Sequence, residues 1–307
     1  MTTMLLPVSN QSVVFQPLRQ KSMLISVALC TYNGRKFIST QLTSILEQDM
    51  AVDEIVVCDD CSTDDTVEII RGFMAQHPAK IKLLQNYVNL GAISTFEKCI
   101  GACTGDIIFL ADQDDIWYSN RVSRYLAIFA ADEKVQAIFS NGDLIDEAGN
   151  PLNNNLWAAW GFTPEMQQKW QNNDFAFSRL AANKNVITGA TLAFRRKDIF
   201  PLLFPFELPW AYWHDTWVGI IASGLGGLRF VHEATIAYRI HQQQQVGLVG
   251  AVDKKFVPIT CELFQRKLLG LFPAKKKQIF LKDPASTRLR KFLSWAKGRV
   301  RRLLPQR

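Results

Sequence analysis

Asp112, Asp114 and Asp115 stand together directly behind the apolar run Asp106–Ala111 (DIIFLA). In extended backbone, residues two apart point to the same side, so Asp112 and Asp114 share a face. Carboxylates this close repel one another and raise one another's pKa. A divalent cation removes that penalty. Mg2+ and Mn2+ prefer oxygen ligands, and Mg2+ is usually held by one or two carboxylates plus substrate phosphates. The cluster therefore predicts Mn2+ or Mg2+ gripping a nucleoside diphosphate. A solvated acidic turn that caps the next helix at Ser119 or Asn120 would use the same residues. A D-x-D pair alone is a weak signal; its place behind an apolar strand, in a chain with a second acidic strand end, strengthens it.

That second end is Asp59-Asp60, behind Glu54–Cys58 (EIVVC). A carboxylate there can accept hydrogen bonds from a base or ribose, and Asp60 is the candidate. Ser62, Asp64 and Asp65 also fit the start of a helix, with Asp65 expected as a cap. Asp215 follows the aromatic stretch Trp210 to Trp213 and precedes an apolar helical pattern. It suits a general base for a hydroxyl nucleophile, and equally an N-cap. Arg239 stands two residues before His241 and could meet phosphate, although a lone histidine is more often structural. Gly189, in Thr188-Gly189-Ala190, permits close backbone approach to a ligand or simply a tight turn.

The elements that must position these residues alternate. Leu24–Cys30, Glu54–Cys58, Lys80–Gln85 and Asp106–Ala111 read as buried strands. Between them, the stretch from Phe37 to Leu46, Thr66–Ala75 and Ile93–Cys103 carry helical spacing. Alternation of this kind predicts an α/β fold, a mostly parallel sheet flanked by helices, with ligands beyond the carboxyl ends of the strands. After Arg121 the pattern is less regular; Val186–Phe194 and Leu228–Tyr238 read as further strands and His214–Ala222 as a helix.

The 307 residues are 48% hydrophobic and 21% charged, which suits a sizeable core and excludes a disordered chain. The formal charge of +7 is misleading. Lys275 to Arg307 holds 12 Lys/Arg against the single acid Asp283, so the rest carries −4. A basic tail on a mildly acidic body argues against nucleic acid and for an anionic surface. Leu289, Phe292, Leu293, Ala296, Val300, Leu303 and Leu304 form one stripe bordered by Arg and Lys, the pattern of a helix lying on anionic lipid, or of one packed on the domain with a solvated basic face. The six cysteines are scattered, and Cys58 and Cys61 lack a second pair for a zinc site. They read as buried thiols of a reduced compartment. No membrane-spanning run and no signal-peptide pattern is visible, so the expected location is cytoplasmic, peripheral on the inner face of the membrane.

Together these motifs resemble the inverting GT-A glycosyltransferases of glycosyltransferase family 2. The matching pieces are SVALCTYNG (Ser26 to Gly34), EIVVCDDCSTDDT (Glu54 to Thr66), NLGAISTFEKCIGACTGDIIFLADQDDIW (Asn89 to Trp117), ITGATLAFRR (Ile187 to Arg196), WHDTWVG (Trp213 to Gly219) and YRIHQQQQVG (Tyr238 to Gly247), in family order. The resemblance implies that Thr31 and Asn33 line the nucleotide pocket and that Asp60 contacts base or ribose. It makes Asp112 and Asp114 the D-x-D pair, with Asp114 on the metal and Asp115 sharing that duty. Asp215 becomes the catalytic base, and His241 lies near the metal or diphosphate. DQDDIW and the late Tyr-Arg-x-His look like the bacterial rhamnosyltransferase-like branch, which builds surface polysaccharides from dTDP-sugars. Gln242 to Gln245 stand where that branch has glycines and an asparagine. The implied partners are a nucleoside-diphosphate sugar and a glycan or lipid-linked acceptor. The expected organisation is a loose leader over 1–22, a GT-A domain over 23–250, and a basic, membrane-associating segment over 251–307. A metal-dependent phosphohydrolase or a non-catalytic nucleotide-sugar-binding module are the competing readings. A dehydrogenase is disfavoured because no G-x-G-x-x-G follows the first strand.

Overall fold

Buried apolar runs set the first half of the molecule. A computed structural model describes residues 23–206, 213–242 and 244. Strand and helix alternate as β1 (Ile25–Thr31), α1 (Ile38–Leu46), β2 (Glu54–Asp59), α2 (Thr66–Gln76), β3 (Ile81–Gln85), α3 (Ala92–Gly101) and β4 (Ile107–Ala111). β1 lies between β2 and β4, parallel to both, and β3 flanks β2 in the same sense. Both faces of the sheet are covered at β1, β2 and β4, which is why these three strands are mostly apolar rather than alternating, whereas the edge strand β3 (IKLLQ) is partly exposed. Val27, Ala28, Leu29, Ile108 and Phe109 have no exposed surface. α1 buries Ile38, Leu42 and Ile45, and α3 buries Phe96, Cys99 and Ile100.

The second half is built differently. β5 (Ile116–Trp117), α4 (Arg121–Ala131), β6 (Ala137–Ile145), β7 (Pro151–Asn155), α5 (Leu156–Ala159), α6 (Pro164–Trp170) and α7 (Asn173–Ala181) come first. A 3-10 turn at Gly189–Thr191, β8 (Ala193–Arg195), α8 (Arg196–Leu203), α9 (His214–Gly224) and β9 (Leu228–Arg239) follow. The nine-stranded sheet runs β3-β2-β1-β4-β8-β6-β9-β5, with β7 beside β6. β8 is antiparallel to β4 and β6, β9 is parallel to β6, and β5 is antiparallel to β9. The sheet is thus parallel from β3 to β4 and mixed beyond.

Two local expectations fail for identifiable reasons. Of the expected strand Val186–Phe194, only Ala193 and Phe194 belong to a strand, β8 (Ala193–Arg195). Asn185 Oδ1 accepts from Ile187 N (2.9 Å) and Thr191 Oγ1 donates to Thr188 O (2.8 Å), so side chains capture the backbone locally and bend it into the 3-10 turn. At the start of α2, Asp65 makes no cap bond; Asp64 Oδ1 instead accepts from Thr66 N at 3.1 Å. Asn120, at the N-cap of α4, makes no side-chain cap bond either. Cys58, Cys99 and Cys103 are buried free thiols, and burial pushes Cys58 up to about 12. No helix among the described residues is long and apolar enough to cross a membrane. The leader over 1–22, Trp210 and the basic segment over 251–307 lie outside the described residues.

Candidate active site

At the carboxyl ends of β1, β2 and β4 a cavity of about 470 Å³ opens, lined from the far side by the segment before the 3-10 turn and the first turn of α9. Thr31, Asp60, Asp112, Asp114, Gly189 and Asp215 all line it. They come from five separate stretches of chain, and the fold brings them to one place.

At one end Asp60 is 3% exposed. Its Oδ1 accepts from Asn86 Nδ2 and Leu90 N, both at 2.8 Å, and its Oδ2 from Gly91 N at 2.9 Å. Burial pushes this carboxyl upward, but the bonds from Leu90, Asn86, Thr95 and Gly91 outweigh it and hold the pKa below the usual carboxylate value. Gly91 sits at φ +79°, where a side chain would be strained, so the loop can turn its N–H into the carboxylate. Thr31 Oγ1 donates to Asp59 Oδ1 (2.9 Å), and Asp59 Oδ2 accepts from Ser62 N (2.9 Å).

In the middle stand Asp112 and Asp114. Burial first, then the charges of Asp114 and Asp215, push Asp112 up to about 7. His241 Nε2 lies 2.8 Å from Asp114 Oδ2, across 127 residues of sequence. Gln41 Nε2 donates to the Asp112 carbonyl (2.9 Å), and Gln113, the middle residue of the D-x-D, exchanges two hydrogen bonds with the Tyr32 backbone (2.8 and 3.0 Å). The acidic turn is therefore braced by β1 and α1.

At the other end Asp215 occupies the first turn of α9. Its Oδ1 accepts from Asn185 Nδ2 (3.2 Å), Thr216 Oγ1 (3.1 Å) and Thr216 N. The helix N-terminus favours the charged carboxylate. A Cβ on Gly189 would come within 2.9 Å of His214 Nε2 and 3.7 Å of Asp215 Cβ, so close approach, beyond mere turning, requires glycine there.

Residues 26–200 match the family model described as glycosyl transferase family 2. The chain belongs to that family. It is 29% identical over 222 residues to an uncharacterized glycosyltransferase, alr2836, of Nostoc, covering 71% of this chain and 65% of the relative. It is 35% identical over 98 residues to the dTDP-rhamnosyl transferase RfbG of Shigella flexneri, covering 31% of this chain and 34% of the relative. The chain thus spans less than two thirds of the length of either relative. Among solved structures, S. aureus TarS in complex with UDP-GlcNAc superposes with a TM-score of 0.56 at 18% identity, covering 85% of this chain and 71% of that one; the likeness is one of fold, α/β of the GT-A type.

Within this family 2 protein four sequence-predicted residues, Asn33, Asp115, Arg239 and His241, do not line the cavity. Asn33 is exposed; its Oδ1 accepts from Thr63 N (2.8 Å) and its N–H donates to Ser62 Oγ (2.9 Å), so it clips the turn after β1 to the turn after β2. Arg239 is 5% exposed and sits over the Phe37 ring. Its guanidinium donates to the carbonyls of Asp114 (2.8 Å), Asp146 (3.2 Å) and Glu147 (3.0 Å), which turns it away from the phosphate contact expected of it. Asp115 faces inward as well, its Oδ1 accepting from Arg239 N at 3.0 Å. Burial, with Asp114 and Asp112, raises its pKa well above the usual range. His241 keeps its place through Asp114. Sequence reasoning overlooked Asn185, Gln113 and His214; only His214, beside Asp215, carried any local signal.

Mn2+ or Mg2+ fits the donor set in part. Among the described residues no three His, Cys, Asp or Glu side chains are grouped to hold an ion unaided. Asp114 with His241, and the crowding felt by Asp112, match the habit of a cation that takes one or two carboxylates and completes its shell from substrate phosphate.

Proposed function

We propose that this protein transfers a sugar from a nucleoside-diphosphate donor onto an acceptor hydroxyl with inversion. The observation that carries the reading is the convergence of Asp60, the Asp112–Asp114 turn and Asp215 on one cavity. Thr31 and the Asp60 loop hold the nucleoside. Asp112 and Asp114 face the diphosphate. When bound, Mg2+ or Mn2+ at Asp114 and His241 would act as a Lewis acid on the departing diphosphate. Asp215 takes the acceptor's proton as the hydroxyl attacks the anomeric carbon opposite the leaving group. Its Oδ1 is held by Asn185 and Thr216, which fixes the carboxylate's orientation before substrate arrives.

The rhamnosyl transferase relative favours a dTDP-sugar such as dTDP-rhamnose as donor. A glycan or lipid-linked acceptor in surface-polysaccharide assembly accords with that choice. The basic segment over 251–307 supports work at an anionic membrane surface on the cytoplasmic side. Calorimetry with dTDP, UDP and GDP, each with and without Mn2+, tests the donor site, and product NMR of the anomeric centre tests inversion. Rapid phosphate release without any acceptor would instead identify a phosphohydrolase, and binding without turnover across a panel of donors would identify a non-catalytic module. Liposome flotation of the chain truncated after Lys282 tests the membrane role, with loss of binding to anionic vesicles expected.

A further inference from the structure

Among the described residues the tryptophans divide in two. Trp117, Trp157, Trp170 and Trp217 are at most 5% exposed and fill the core. Trp160 and Trp213 keep part of their surface, and both line the cavity. Apolar surface left out of a core forgoes the gain of burial, so an indole held at a cavity wall needs another reason to be there.

Trp160 closes α5, where its N–H donates to Leu156 O at 2.9 Å. One part of the side chain packs against the core. Its Nε1 donates to Thr188 Oγ1 (3.2 Å), and Thr188 lines the cavity too. Thr188 is itself fixed, since its carbonyl accepts from Thr191 N (2.9 Å) and Thr191 Oγ1 (2.8 Å). The next residue, Gly189, approaches Asp215 so closely that a Cβ on it would lie 3.7 Å from Asp215 Cβ. The indole is therefore tethered to the Asp215 end of the cavity, away from Asp60. The tether uses its one polar atom, so the surface it offers is flat and apolar. Asn183 and Lys184 line the same wall and add polar groups beside it.

A flat apolar surface with polar groups at its rim matches a pyranose, which presents a face of C–H bonds and an edge of hydroxyls. A phosphate has no such face. A nucleobase has one, but its end of the cavity is the Asp60 end. Resting on the transferase reading above, we propose that a sugar ring of the acceptor stacks on Trp160, so that the acceptor is a saccharide recognised through its ring as well as through its attacking hydroxyl.

The full-length chain is loaded with Mn2+ and with dTDP or UDP, whichever binds more tightly. Saturation-transfer NMR then follows octyl β-glucoside, octyl β-galactoside and the octyl α-glycoside of N-acetylglucosamine, with 1-octanol as the ring-free control. At least one glycoside should bind, with its ring C–H protons receiving the strongest transfer from aromatic protons. Trp160→Ala should weaken that glycoside about tenfold, the reach of one aromatic contact. Trp160→Leu, which keeps apolar bulk without a flat ring, should lose as much, while Trp160→Phe stays within about threefold of wild type. Calorimetric affinity for the nucleoside diphosphate should stay within about twofold in all three variants, as expected for a separate subsite. Full glycoside affinity in Trp160→Leu would overturn the inference. So would an equal fall in diphosphate affinity, which would make Trp160 a donor-site or structural residue. Wild type that binds a diphosphate but no glycoside, or binds 1-octanol as well as the glycosides, overturns it while the transferase reading stands. If wild type binds no nucleoside diphosphate at all, the transferase reading fails first and takes this inference with it.

Discussion

Around Asp60 the carboxylate already takes hydrogen bonds from Asn86, Leu90 and Gly91, and its pKa is held down by them. Around Asp215 the neighbouring His214 has two buried nitrogens without a partner among the described residues, and Asp112 is pushed up to about 7. One end of the cavity is a finished frame. The other holds buried polar groups that are crowded or left without a protein partner. Such a division suits a site that must seat its donor in a preformed cradle and keep its polar groups available where charge and protons move.

The contrast is broken hardest at Asp215. Asp215→Asn should lower kcat about 10²–10⁴-fold, the usual reach of a general base, with nucleoside-diphosphate affinity unchanged by calorimetry. Loss of both together would return Asp215 to a capping role. Asp60→Ala attacks the finished end. It strands the Asn86, Leu90 and Gly91 donors and should lower folding stability by about 3 kcal/mol, read from urea midpoints. Proteolysis should then concentrate in the loop between β3 and α3. Asp114→Ala should weaken Mn2+-dependent diphosphate binding by about 10–100-fold, at least the effect that a metal ligand's outer partner shows.

Acid sharpens the comparison at His214. In the folded protein the ring's pKa is about 3, against an ordinary 6.5 once unfolded. The unfolded chain takes up a proton as pH falls through 6.5, and the folded chain does so only near 3. Stability is therefore complete above 6.5 and declines below it, by about 2 kcal/mol at pH 5. His214→Phe should flatten that part of the profile between pH 7 and 5; an unchanged slope would show that the ring is solvated. The smallest effect belongs to Asp115→Asn, which keeps the volume of an inward-facing side chain and its acceptor for the Arg239 N–H. Stability should shift by less than about 1 kcal/mol and turnover stay within a few-fold, while Asp114→Asn is nearly inactive. Comparable inactivation of the two would restore Asp115 to the metal.

The parallel half was legible because its signals are local. LISVALC, EIVVC and DIIFLA are largely apolar, as doubly covered strands must be, and the polar residues that follow them name the cavity mouth. β6 escaped notice because Asn141-Gly142-Asp143 inside it reads as a turn; its pairing with β9 lies about ninety residues away. Arg239 and Asp115 sit away from the cavity for a related reason. Residue type advertises charge, and only packing reveals whether that charge is already engaged by Asp114, Asp146 and Glu147 carbonyls or buried beside a backbone N–H.

By itself, the order of residues determined the alternating strands and helices, the family, and the position of acidic side chains behind β2 and β4. Tertiary structure alone decided which of three consecutive-looking aspartates face the cavity, that His241 reaches Asp114 across 127 residues, and that His214 sits opposite a glycine with its nitrogens unpaired. Periodicity and strand ends are encoded within a few residues, whereas the state of a carboxylate or an imidazole depends on partners that only folding brings near.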